Sequence, residues 1–168
     1  MKFLILTLSL TIFGILINYT EARIRHPSRT CFSPSEGDAY YFGVTNLLCA
    51  MGRKRRSPKI STNEFAHRYV YYRGKYYEFS NGVGNKTLVG WRSSEVYIST
   101  GRPAFNDCNF TTNSRPAGYA VLSKDCVERC TNYYQETHRY HILFNNCHHF
   151  ANWLSNILCS YRSCPRFC

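Results

Sequence analysis

The sequence predicts an α+β fold: an antiparallel sheet with helices packed against it, stabilised by disulfides. Three observations lead there. Glu64–Ser80, EFAHRYVYYRGKYYEFS, is rich in Tyr, Val and Phe around a central Arg-Gly-Lys, the pattern of a β-hairpin. Helix signals dominate the last third of the chain, from Asp125 onward. Nine cysteines among 168 residues point to a disulfide framework.

The chain opens on Met1–Ala22, which reads as a secretory leader. Lys2 supplies the positive start, Phe3–Ile17 the apolar run, and Thr20-Glu21-Ala22 a small-residue cleavage site before Arg23. The run is shorter than the roughly 20 residues of a membrane span. A secreted, extracellular protein is expected. Its cysteines (Cys31, Cys49, Cys108, Cys126, Cys130, Cys147, Cys159, Cys164 and Cys168) would then pair, and an odd count leaves one over. The formal charge of +11 favours anionic partners such as phospholipid headgroups or sulfated glycans, or simply a solvated basic surface. No nucleic-acid fold signature is present, and no nucleic-acid partner is expected.

Residues 23–59 read as an N-terminal extension ahead of a core domain at 60–158. The extension holds Arg53-Lys54-Arg55-Arg56. That run fits a proprotein-convertase site, a polybasic loop for glycans or lipid, or an ordinary exposed loop. In the hairpin, a two-residue loop at Arg73-Gly74 pairs Tyr72 with Lys75, Tyr69 with Glu78 and His67 with Ser80. Side chains alternate with period two, so His67, Tyr69, Glu78 and Ser80 share a face. A loop at Gly74-Lys75 keeps that shared face, and a three-residue loop breaks it. His67 and Glu78 become diagonal neighbours, about 7–8 Å apart and within reach of each other.

Asn81–Asn85 is a turn cluster without the spacing of a phosphate loop. Val89–Trp91, Glu95–Ser99 and Tyr119–Leu122 read as short strands, and Gly101–Pro116 as a long loop. Asn85 and Asn109 begin N-glycosylation acceptors. Asp125–Thr137 reads as a helix, with Asp125 as cap and Glu128 at capping-box spacing. Cys126 and Cys130 share a helix face. No matching Cys/His pair at zinc spacing follows, so they are expected to be disulfide halves, and no metal or cofactor is expected. Residues 159–168 form a Cys-rich tail.

Tyr140–Phe144 reads as a short buried strand, followed by a two-Asn turn and a helix. Phe150, Trp153, Leu154, Ile157 and Leu158 recur at i, i+3, i+4, i+7 and i+8, one apolar helix face. Asn145 or Asn146 can cap this helix and put Cys147 in its first turn, where the positive end of the dipole favours a thiolate. From these residues alone Cys147 is a nucleophile, a disulfide half or an inert core thiol.

Tyr140, Ile142, Phe144, Asn145, Asn146, Cys147, His149 and Phe150 together resemble the cysteine box of the lecithin:retinol acyltransferase-like proteins, a branch of the papain-like NlpC-type superfamily. The resemblance covers Asp125–Trp153 and, more faintly, Glu64–Ser80. It implies a circularly permuted papain-like fold with the histidine hairpin first and the cysteine helix last. It also implies Cys147 as nucleophile and His67 as its base. Glu78 stands where the family usually has a second histidine, and a carboxylate there can orient the imidazole. His149 is expected to pack or orient the helix. Several animal members carry a hydrophobic anchor after the box; residues 159–168 hold none, so membrane contact is expected to be peripheral.

The function that follows is a thiol acyltransferase or lipid hydrolase working through an acyl-thioester on a lipid or small acyl-bearing substrate. A peptidase or amidase of the same chemistry, and a catalytically silent, disulfide-rich binding protein, stand beside it. Protein recovered from the medium of expressing cells is expected to begin at Arg23 by intact mass. Secreted material that retains Met1–Ala22 would overturn the leader assignment.

Overall fold

The computed structural model describes residues 31–46, 66–81, 94–104 and 108–168. The leader, the Arg53–Arg56 run, Val89–Trp91 and the Asn85 acceptor lie outside them. The described chain is α+β. Its strands are β1 (Asp38–Asn46), β2 (Ala66–Tyr72), β3 (Lys75–Ser80), β4 (Glu95–Thr100), β5 (Phe110–Thr112) and β6 (Gly118–Ala120). Two helices follow, α1 (Lys124–Thr137) and α2 (Cys147–Ser160). The strands form an antiparallel sheet in the order β4-β3-β2-β1-β5, with β6 also paired to β1.

The hairpin has the expected register. Tyr72 pairs with Lys75 and Tyr69 with Glu78. Both loop residues have positive φ, 48° at Arg73 and 83° at Gly74, the left-handed pair that matches the twist of the flanking strands.

The sheet takes in a strand that precedes residue 60. Asp38–Asn46, expected inside an extension, is the strand next to the hairpin. It pairs with β2 from Tyr40↔Tyr72 to Asn46↔Ala66. Its other edge is covered in turn by β6 at Asp38–Tyr40 and by β5 at Gly43–Thr45. Tyr40, Phe42 and Val44 alternate as a half-buried strand should, with Tyr40 and Val44 buried. Gly43 interrupts that signal, and it is needed there. The Tyr69 ring lies across it to hydrogen-bond Thr112 on β5 at 2.8 Å, and a Cβ on Gly43 would sit 2.0 Å from that ring.

Four further expectations shift. The Gly101–Pro116 loop contains β5, and the strand expected at Tyr119–Leu122 runs Gly118–Ala120. Helix α1 is capped by Ser123, whose Oγ accepts the Cys126 N–H, and Asp125 sits inside the first turn. Tyr140–Phe144 is not a buried strand. It is a tight turn closed by a His141↔Asn145 bridge, and Leu143 and Phe144 face outward. The segment folds back on itself between His141 and Asn145, and α2 begins at Cys147, which leaves no extended run to form a strand.

The core lies between sheet and helices. Tyr40, Val70, Tyr72, Tyr77 and Phe79 meet Val127 and Tyr134 of α1 and Phe150, Leu154, Ile157 and Leu158 of α2. Phe79, Tyr134 and Phe150 form an aromatic triangle with centroids 5.1–5.7 Å apart. Two of the core tyrosine hydroxyls find partners, Tyr72 at the carbonyls of Ala120 and Leu122 and Tyr40 at Ser155, 2.8 Å away, whereas the buried Tyr77 hydroxyl has none among the described residues. Disulfides tie the ends in. Cys31–Cys159 joins the segment before β1 to the end of α2, while Cys126–Cys164 and Cys130–Cys168 pin the tail along α1. Cys108 is disulfide-bonded as well.

Gly43→Ala forces a methyl into the Tyr69 ring, and overpacking of this kind costs about 1–3 kcal/mol. A lower urea midpoint with an unchanged slope is expected. An unchanged midpoint would show that the ring moves aside freely.

Candidate active site

The site begins at an edge that the hairpin leaves open. The ladder of β2 with β3 ends at Tyr69↔Glu78, and Ala66 and Arg68 at the start of β2 stand beyond it. Backbone groups alternate along a strand, so the Ala66 carbonyl and the Arg68 N–H point to the same side. The start of α2 takes both. His148 Nε2 donates to the Ala66 carbonyl at 2.8 Å, and the Arg68 N–H points at the Cys147 sulfur.

Local sequence fixes that helix start. Asn146 is the N-cap, and its Oδ1 accepts the N–H groups of His148 and His149 at 2.9 and 3.3 Å. His149 reaches back toward the Asn146 N–H and closes a capping box, so it orients the helix as expected. Cys147 is then the first helical residue. Its sulfur lies at the positive end of the dipole, beside the N–H groups of Arg68 and His148.

The three residues singled out from the sequence come together. His67 Nε2 and Glu78 Oε2 are 3.0 Å apart, with side chains 2% and 0% exposed. The imidazole also hydrogen-bonds the Cys147 side chain. With Nε2 held by Glu78, Nδ1 remains for the thiol. The other Glu78 oxygen accepts the Ala104 N–H. The chain of contacts runs Cys147–His67–Glu78, and both carboxylate oxygens have partners.

Electrostatics favour the ionised pair. Burial opposes a charged Cys147, but the His67 charge and hydrogen bond, with the N–H groups of Arg68 and His148, outweigh it and hold the thiol below its ordinary pKa. Burial likewise opposes a charged His67. The Cys147 charge and hydrogen bond overcome it, Glu78 adds to them, and the imidazolium is pushed up to about 10. Each charge thus stabilises the other, which biases the pair toward thiolate and imidazolium.

Two neighbours complete the surroundings. Burial lowers the Arg68 guanidinium and the Cys147 charge opposes that shift; the side chain lies over the Phe42 ring at 4.2 Å and donates to Asn152 at 3.4 Å. Burial and the Cys147 charge push the Tyr140 phenol up, so it stays protonated beside the sulfur. The roles of Arg68, His148 and Ala104 left no mark in the sequence. All three act at least in part through a backbone N–H that any residue but proline supplies.

Cys147 is the free cysteine among the described residues. Cys126, Cys130 and Cys164 bring their sulfurs within 4.8 Å of one another, but Cys126–Cys164 and Cys130–Cys168 are disulfides, which leaves no thiolate for a metal. No helix among the described residues is long and apolar enough to cross a membrane. No family model, curated protein or solved structure matches the chain.

A lowered thiol pKa keeps the thiolate present as pH falls. Alkylation of Cys147 by iodoacetamide should thus hold its rate at pH values where an ordinary cysteine, with pKa about 8.5, has slowed by about tenfold per unit. His67→Gln removes the positive charge and should move the profile to higher pH. A wild-type profile that falls through pH 8–9 would show that the ion pair is absent.

Proposed function

We propose that this chain is a secreted thiol acyltransferase or lipid hydrolase of the lecithin:retinol acyltransferase-like kind. One observation supports the reading above the rest: the buried, unbridged Cys147 at a helix N-terminus shares a hydrogen bond with His67, itself held by Glu78. An inert core thiol sits among apolar neighbours, where burial raises its pKa. This one has a cation, two N–H groups and a dipole directed at it. The order of parts, with histidine hairpin before cysteine helix, suits a circularly permuted papain-like architecture.

In the proposed reaction the Cys147 thiolate attacks the carbonyl carbon of an ester. The C–S bond forms as the carbonyl π pair moves onto oxygen. The oxyanion is expected to lie by the Cys147 N–H, one of the helix-start donors that lack an intrahelical acceptor. Collapse breaks the carbon–oxygen bond, and the departing alkoxide takes the His67 proton. His67, now neutral, removes a proton from water or an acceptor alcohol or amine. That nucleophile attacks the thioester and expels the thiolate. Glu78 holds the imidazole and stabilises its charged form throughout. The expected substrate is a lipid or a small acyl-bearing molecule, and extracellular use agrees with the leader.

Cys147→Ala should reduce hydrolysis of an activated ester to the uncatalysed rate. His67→Ala should lose roughly 10²–10⁴-fold in kcat, the usual size of general acid–base assistance. Glu78→Gln keeps the shape and one acceptor, and should lose less. Mass spectrometry should find an acyl group on Cys147 when deacylation is slowed. Turnover by Cys147→Ala at the wild-type rate would leave a silent binding protein as the better account. Panels of lipid and peptide substrates separate lipid chemistry from peptidase or amidase chemistry.

A further inference from the structure

We infer that the turn between α1 and α2 is a membrane wedge: Leu143 and Phe144 enter the headgroup–acyl boundary of an anionic phospholipid bilayer and set Cys147 at the lipid surface. The placement of Cys147 for chemistry rests on the proposed acyl-transfer function; the insertion itself does not.

Leu143 and Phe144 are 71% and 74% exposed, the most exposed large apolar side chains among the described residues. They are held outward by a firmly bonded turn. His141 and Asn145 exchange backbone hydrogen bonds at 2.8 and 2.9 Å. The His141 imidazole folds over the tip, where Nδ1 accepts the N–H groups of Leu143 and Phe144, each at 3.2 Å, and the ring stacks on Phe144 at 4.6 Å. Asn146 Nδ2 donates to the Ile142 carbonyl at 2.7 Å and Asn145 Nδ2 to the Arg139 carbonyl at 2.8 Å.

That bonding pattern favours lipid over a protein groove. A protein partner can supply donors and acceptors to an inserted loop, whereas the acyl region of a bilayer cannot, so an inserting tip must satisfy its backbone internally. Here side chains of the turn itself take the two N–H groups at the tip. The charge agrees. Residues 138–149, HRYHILFNNCHH, contain Arg139 and four histidines and no Asp or Glu, in a chain of formal charge +11. An apolar tip with Arg139 beside it and no carboxylate within the segment suits an anionic headgroup layer.

The test uses the full chain with vesicles of phosphatidylcholine, with or without phosphatidylserine. Wild type should sediment with the anionic vesicles. The L143S/F144S double variant should bind them at least tenfold more weakly, yet keep wild-type Cys147 alkylation and turnover of a small soluble ester. F144W should show a blue-shifted emission increment on anionic vesicles. The wedge is overturned if wild type ignores the vesicles and binds only sulfated glycan, if the double variant binds as well as wild type, or if the F144W emission does not move. If vesicle binding depends on the turn while no ester is hydrolysed, the wedge stands and the acyl-transfer function falls.

Discussion

The start of α2 closes the open edge of β2, and the rest of the site depends on that contact. A strand edge with unpaired N–H and C=O groups buried against a helix would be costly. Here the Ala66 carbonyl and the Arg68 N–H are taken by His148 and Cys147. The same contact places the sulfur at the level of His67, which lies between those two residues. The hairpin could not pair further without evicting the helix, and the helix could not withdraw without leaving the edge unsatisfied. Phe150, Leu154, Ile157 and Leu158 hold the helix down along its length, so the core sets how closely its first turn approaches the strand.

Inside that junction, three ionisable side chains share a small volume almost without solvent. Removing one partner of a buried ion pair typically costs about 3–5 kcal/mol, because the other charge is left uncompensated. Cys147 and His67 favour each other's charged forms, and Glu78 adds to the stabilisation of the imidazolium. Glu78 suits the third place because its oxygens divide the work, one to the His67 ring and one to the Ala104 N–H. That fixes the ring so that its other nitrogen meets the sulfur. A second histidine there could orient the ring as well, but it would not add a negative charge to support the imidazolium.

The frame around the junction is stapled rather than merely packed. Cys31–Cys159 spans 128 residues, and constraining a loop of that size lowers unfolded-state entropy by on the order of 4–5 kcal/mol. Its position is also informative: it fixes the far end of the helix whose near end carries Cys147. The two bridges from α1 to the tail close smaller loops and hold residues 159–168 against the domain. Among the described residues one cysteine, Cys147, is kept out of this network, and its sulfur is the one directed at a histidine.

Local pattern alone determined a good part of this molecule. The hairpin register followed from a two-residue turn and the period of a strand, and it placed His67 beside Glu78. The α2 start followed from the Asn145-Asn146 pair and the apolar stripe, and the odd count of nine cysteines left one thiol over. These features were legible because each depends on neighbours within a few residues. Tertiary structure decided what depends on distant partners. Asp38–Asn46 became a strand beside the hairpin because β2, β5 and β6 each needed its edges, and the glycine that hid it is the residue that admits the Tyr69 ring. Leu143 and Phe144 looked like core by composition, yet the closed His141↔Asn145 turn put them outside. The meeting of Cys147 with His67, 80 positions apart in the chain, required the helix start to dock on an open strand edge, and no spacing along a sequence encodes where an edge is left unpaired.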